Sequence, residues 1–184
     1  MTLERRTTPE LDALVRLFYA DIAALGQFEE IRPAELPPVE RTLLDHDQHM
    51  TLTVEAHHGS AVDLQVVESN MTATHYARRI LLHRQTDGEA VQFGIVRLHL
   101  DSLSAEVRDQ INDKEVPLGR ILIQQNILRT VRLLSLWRII PEADLRDVFY
   151  LGGPIACYGR TALIYCDAVP AVELLEIVRP PSSY

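Results

Sequence analysis

The sequence predicts an α+β fold, in which a single antiparallel sheet of about six strands carries helices packed on it. Segments with alternating apolar residues follow one another, and short turn signals such as Asp87-Gly88 join them. One helical pattern leads the chain and another, at 102–113, is inserted between strand patterns. Strands joined by hairpins are antiparallel, whereas parallel strands need long crossovers. We therefore expect one sheet in a single domain over residues 1–184.

The first 45 residues are predicted to be mainly helical. Residues 9–25 place their apolar side chains on one stripe at helical spacing, with Thr8 at the N-cap position and Gly26 as the stop. Residues 27–38 contain three prolines and are predicted to form a surface connection. A short helix is expected at 38–45.

From Met50 the apolar period changes to two, which is typical of strands. The segments with strand character are 50–56, 62–66, 73–84, 90–100, 127–139, 160–167 and 171–178. Between them, 102–113 and 141–150 have helical patterns, and 120–126 is expected to form a helical turn or two. The turn at 167–170 predicts that the last two strands form a closing hairpin.

The composition is that of an ordinary globular protein and narrows the classes of function. Hydrophobic residues make up 47% and charged residues 24% of the chain, and the net charge is −8. This charge argues against nucleic acid as a partner, because phosphate binding needs a basic surface. Neither a signal peptide nor an apolar run of membrane-spanning length is visible, so we expect no membrane contact and a cytoplasmic location. Cys157 and Cys166 are too few for a disulfide scaffold.

The common cofactor motifs are missing from the sequence, which has no glycine-rich nucleotide loop and no paired metal-ligand motif. Any catalysis is therefore expected to need no cofactor. His46, His49, His57 and His58 suggest a metal at first sight, but their spacing does not suit one site on regular structure. Solvated loop histidines are the favoured interpretation, and no metal site is predicted.

Charged residues at strand positions are the candidates for contacts with a small ligand. The last strand carries Glu176 on one face and Glu173 on the other, and strand 73–84 similarly separates Arg78 from Arg79. The alternation does not tell which face is buried. A buried arginine with a buried glutamate would provide one positive and one negative anchor in an apolar pocket.

Four segments in order resemble those of a known family. They are Leu43-Leu44 with His49-Met50-Thr51, then 76–82, then 116–122, and finally Gly159-Arg160 with 176–180. Together they resemble the chorismate–pyruvate lyase family over the chain from about residue 40 to the end.

This resemblance implies a fold that encloses its ligand and an enzyme that eliminates pyruvate from chorismate to give 4-hydroxybenzoate. It implies that Arg78 binds the ring carboxylate, and that Met50 and Leu118 contact the carboxylate through backbone N–H groups. Glu176 would act at the ether end as the general acid. Arg78 and Glu176 are thus the expected catalytic residues.

Two alternatives stay open, because a fold alone does not define a function. A similar fold serves as a non-catalytic module that binds or senses small molecules, such as aromatic acids, in bacterial transcription regulators. An enzyme of this fold recruited to another substrate is the second alternative. Sensor modules normally follow a DNA-binding helix-turn-helix, and only one clear helix and one short helix precede the predicted sheet, so the sequence favours the lyase.

Overall fold

A seven-stranded antiparallel sheet forms the centre of the computed structural model, which describes residues 11–113, 115–124 and 129–182. The strands are β1 (Gly26–Ile31), β2 (Val62–Met71), β3 (His75–Arg84), β4 (Ala90–His99), β5 (Arg129–Pro141), β6 (Cys157–Cys166) and β7 (Val169–Val178). Their order across the sheet is β1-β5-β6-β7-β4-β3-β2. The predicted α+β class with a single antiparallel sheet is confirmed.

Six helices accompany the sheet in the described residues. They are α1 (Leu11–Val15), α2 (Pro38–Leu44), α3 (Met50–His58), α4 (Ala105–Asn112), α5 (Leu118–Gln124) and α6 (Ala143–Val148). Helices α2 to α5 pack on one face of the sheet, which we call the cavity face, and α1 and α6 pack on the opposite face. Apolar side chains therefore cover both faces of the central strands.

The two predicted hairpin turns are present and have the backbone that tight turns need. Gly88 joins β3 to β4 with a φ of 74°, and Asp167 and Ala168 join β6 to β7 with φ values of 50° and 64°. Only the second connection is a two-residue turn, where left-handed backbone matches the twist of the joined strands, since five residues separate β3 from β4. The two turns thus account for the pairs β3–β4 and β6–β7, whereas β7 pairs with β4 over a long stretch of chain.

The predicted helix at 9–25 is wrong beyond its first turns. The described part begins at Leu11, and α1 ends at Val15. A strand, β1, starts at Gly26 within the expected surface connection. A Cβ at Gly26 would lie 2.7 Å from the carbonyl oxygen of Ile140, so this glycine permits the close approach of β1 to β5 and does not serve as a helix stop. The backbone of β1 is hydrogen-bonded to β5, which is distant in the sequence, and the spacing of apolar residues within 9–25 does not reveal such a partner.

The predicted strand at 50–56 is also wrong, because these residues form α3. Met50 and Val54 are buried, and a spacing of four suits a helix as well as a strand. Leu52, which a strand would place beside them, is 48% exposed. Gly59 ends the helix in the left-handed conformation with a φ of 59°. The alternating pattern at 50–56 therefore belongs to a helix whose C-cap is Gly59.

Candidate functional site

A narrow cavity of about 40 Å³ lies between the cavity face of the sheet and the first turns of α3 and α5. Its lining residues are His49, Met50, Thr51, Arg78, Ile80, Leu82, Gln92, Val96, Pro117, Leu118, Val131, Arg160, Ile164, Leu174 and Glu176. All four residues that the sequence proposed as ligand contacts belong to this set. A water molecule needs roughly 10–15 Å³ of such space, so the cavity has room for about three water-sized groups before any side chain moves.

Arg78 is the most unusual residue of the cavity. It points from β3 into the cavity face, and its residue surface is 0% exposed. None of its Nε, Nη1 and Nη2 atoms has a hydrogen-bond partner among the described residues. Burial lowers the pKa of Arg78, and the neighbouring Tyr76 opposes this shift. The Tyr76 hydroxyl also has no hydrogen-bond partner in the described part of the chain. A buried cation with free donors can accept an anion from the cavity.

Arg79 points to the opposite face, as strand alternation requires. Its Nη1 donates to the Tyr19 hydroxyl and to Asp144 Oδ2, both at 2.7 Å. The guanidinium also lies over the Tyr19 ring, 5.3 Å from its centroid. Arg79 thus holds α6 and the segment after α1 against β3. Of the two arginines that the sequence left open, only Arg78 reaches the cavity.

Glu176 reaches the cavity from β7 and is 7% exposed. It is not a free acid, because its Oε2 accepts a hydrogen bond from Arg160 Nε at 2.7 Å. Glu173 lies on the opposite face, where its Oε1 accepts from Arg97 Nη2 at 2.8 Å. The structure therefore separates the two carboxylates of β7 and pairs each of them with its own arginine.

Arg160 is the residue of the cavity to which the sequence assigned no role. It lies on β6 directly opposite Glu176 and is 0% exposed. Its Nη1 donates to the carbonyl oxygen of His46 at 2.8 Å, and its Nη2 donates to that of Gln48 at 3.0 Å. Arg160 thus joins Glu176 to the segment between α2 and α3, which leads to the cavity residues His49 and Met50. The available signals were the strand pattern around Arg160 and its place in the Gly159-Arg160 segment of the family resemblance.

His46 completes this network. Its Nδ1 accepts from the backbone N–H of Gln48 at 3.0 Å, and its Nε2 lies 2.7 Å from the carbonyl oxygen of Leu43, to which it donates. Burial, followed by the charge of Arg160, lowers the pKa of His46. The neutral ring therefore serves as a structural connector. Among the residues that the structure describes, no three His, Cys, Asp or Glu side chains are grouped so as to hold a metal ion.

Met50 and Leu118 line the cavity from two different helices, since Met50 is the first residue of α3 and Leu118 the first of α5. The first N–H groups of a helix have no acceptor within the helix. The predicted backbone contacts of these residues with a ligand agree with their position, and their role stays a prediction.

No helix of the described residues is long and apolar enough to cross a membrane.

Solved structures with a similar fold include PhnF and its effector domain. PhnF from Mycobacterium smegmatis matches 71% of this chain and 63% of its own, with 15% identity and a TM-score of 0.51. The effector domain of PhnF matches 72% of this chain and 88% of its own, with 14% identity and a TM-score of 0.52. The C-terminal domain of a histidine utilization repressor from Pseudomonas syringae matches 67% of this chain and 96% of its own, with 11% identity and a lower TM-score of 0.46. No protein-family model matches the chain. A search of curated proteins gives no match.

These comparisons confirm the resemblance at the level of the fold, which such regulator domains share with chorismate lyase. They overturn the predicted function, because the structures that match are effector domains of regulators and not chorismate–pyruvate lyases. The chain spans 63% of the PhnF chain that it matches. The broader expectation that the chain is an enzyme is tested by none of these matches and stays a prediction.

Proposed function

We propose that this chain is a non-catalytic module that binds a small organic anion, as an effector domain does. The observation that carries the proposal is Arg78, a fully buried guanidinium without a hydrogen-bond partner among the described residues, in the wall of a cavity. A charge in such a place is costly unless an anion pairs with it. A planar guanidinium suits a carboxylate or another oxyanion that accepts two hydrogen bonds.

The rest of the cavity favours an organic anion over a bare inorganic one. Apolar side chains from the sheet, including Ile80, Leu82, Val96, Ile164 and Leu174, line most of its wall. A ligand with an apolar body gains from contact with such a surface. At about 40 Å³ the cavity has room for only about three water-sized groups, so a short aliphatic acid requires a small shift of the lining side chains and an aromatic acid a larger one.

The position of Glu176 supports binding over the predicted acid catalysis. A general acid must donate a proton to the leaving group. The Glu176 carboxylate instead accepts a hydrogen bond from Arg160, which is itself bonded to two backbone carbonyl groups. This pair supports the cavity wall and links it to the segment before α3.

The proposal is tested by isothermal titration with two pairs of acids: benzoate and 4-hydroxybenzoate, and butyrate and 4-hydroxybutyrate. We expect wild type to bind at least one of the four acids. Arg78→Met should lose at least about ten-fold in affinity for that acid, since a charge-assisted hydrogen bond contributes about 1.5–3 kcal/mol. Arg79→Met, on the opposite face, is the matched control and should retain wild-type affinity. Equal affinities for wild type and Arg78→Met, or no binding of any acid, would refute the proposal.

A further inference from the structure

A second buried polar side chain, that of Gln92, faces the cavity. Gln92 lies on β4, is 2% exposed and contributes to the cavity wall. Its Oε1 has no hydrogen-bond partner in the part of the chain that the structure describes. A buried amide oxygen without a partner destabilises a fold, and such groups are concentrated where a ligand or a functional constraint requires them.

The position of Gln92 separates it from the anion site at Arg78. Arg78 is paired with Val96 across β3 and β4, so Gln92 is four residues further along β4. With a rise of about 3.4 Å per residue and about 4.8 Å between strands, the two Cα atoms lie roughly 14 Å apart. The cation and the amide thus meet the cavity from different ends.

Gln92 lies close to Glu176 instead. Gln92 is paired with Val178 and Gly94 with Glu176, so Gln92 and Glu176 are diagonal neighbours on one face. Residues at such positions have Cα atoms about 7–8 Å apart, so their long side chains can contact the same ligand. Gly94, between them on β4, contributes no side chain. Two acceptor oxygens therefore face this end of the cavity, the amide oxygen of Gln92 and the carboxylate of Glu176.

We propose that Gln92 is a specificity-determining residue, which selects anions that carry a second hydrogen-bonding group at the end away from Arg78. The inference rests on the proposed function and adds the chemical class of the ligand: a hydroxy acid or amino acid in which a hydroxyl or amine donates to Gln92 Oε1. A ligand without that group leaves the buried amide unpaired, and a site built around a hydrogen bond discriminates against such analogues.

The test compares each acid with its hydroxylated partner. We expect wild type to bind 4-hydroxybutyrate or 4-hydroxybenzoate about 10–100-fold more tightly than butyrate or benzoate, the range that an unpaired buried polar group produces. Gln92→Met keeps the length of the side chain without its polar atoms. It should lose most of the preference for the hydroxylated acid, because only the Glu176 carboxylate then remains as an acceptor at that end, and it should bind the non-hydroxylated acid as wild type does.

Controls keep the outcome specific to the cavity. Gln85→Met removes an exposed amide that donates to Asp63 at 2.7 Å, and it should retain the preference for the hydroxylated acid. Gln92→Leu replaces Gln92→Met if the melting temperature shows that the latter does not fold. Preference retained in the Gln92 variant, or absent in wild type while binding depends on Arg78, would overturn this inference alone. Binding that does not depend on Arg78 would overturn the proposed function as well.

Discussion

Replacing Arg78 by methionine should stabilise the ligand-free protein, whereas the same replacement of Arg160 should destabilise it. The two arginines form a matched pair, because both are 0% exposed and both line the cavity. They differ in their partners. Arg160 donates to Glu176 and to two backbone carbonyl groups, and Arg78 has no hydrogen-bond partner among the described residues. The same change of chemistry should therefore have opposite effects on the free energy of unfolding.

The expected magnitudes follow from burial and pairing. A buried polar group without a partner costs about 1–3 kcal/mol, and more if it is charged, so Arg78→Met should gain at least that much. Removing one partner of a buried ion pair costs about 3–5 kcal/mol, so Arg160→Met should lose that amount and leave Glu176 unpaired. For a chain of this size 1 kcal/mol corresponds to about 2–4 °C. The melting temperature should then rise by about 2–12 °C in Arg78→Met and fall by about 6–20 °C in Arg160→Met.

Thermal and urea unfolding of the ligand-free proteins measure both effects. Arg138→Met is the surface control, because the Arg138 side chain is 44% exposed and its ion pair with Glu29 spans 3.4 Å, so its loss should change stability by less than about 1 kcal/mol. If Arg78→Met were destabilised as strongly as Arg160→Met, protein groups would hold the Arg78 guanidinium. It would then not be free to bind an anion.

Two further predictions concern residues outside the cavity. Glu173→Gln should lower stability by at most about 1 kcal/mol, because the ion pair of Glu173 with Arg97 is only half-buried. It should leave the affinity for the acids unchanged, and weaker binding of the acids would contradict the place of Glu173 on the opposite face. His58 has a pKa lowered from 6.5 to about 4, first by burial and then by the charges of His57 and Arg84. The unfolded chain therefore takes up this proton first, so stability should fall as the pH drops from 6.5 towards 4. The fall should be smaller in His58→Gln, and equal melting curves across that range for both proteins would refute the assignment.

Local signals in the sequence predicted the central strands well. The turn at Gly88 and the closing turn at Asp167 both contain left-handed backbone, and the sequence marked both positions as turns between strands. The segment at Met50 failed for the opposite reason. Its buried residues have a spacing that suits two kinds of secondary structure, and packing against β3 and α2 decides between them.

The candidate site was predictable in part, because strand alternation separates Arg78 from Arg79 and Glu176 from Glu173. Choosing the inward member of each pair needed the family resemblance or the structure. Gln92 carried no signal at all, since a single amide in an apolar strand pattern looks like any residue of a solvated edge. Its importance depends on burial and on a missing partner, and both are properties of the folded chain.

The pairing of Arg160 with Glu176 shows most clearly why sequence alternation has a limit. At the turn, Cys166 is paired with Val169, and continuing that register would place Arg160 opposite Leu175, which faces away from the cavity. The register shifts by one residue at Ala171, so Arg160 instead meets Glu176 on the cavity face. A single bulge thus decides whether this arginine neutralises the buried carboxylate. Bulges depend on how both faces of a strand are packed, and alternation along one strand does not reveal them.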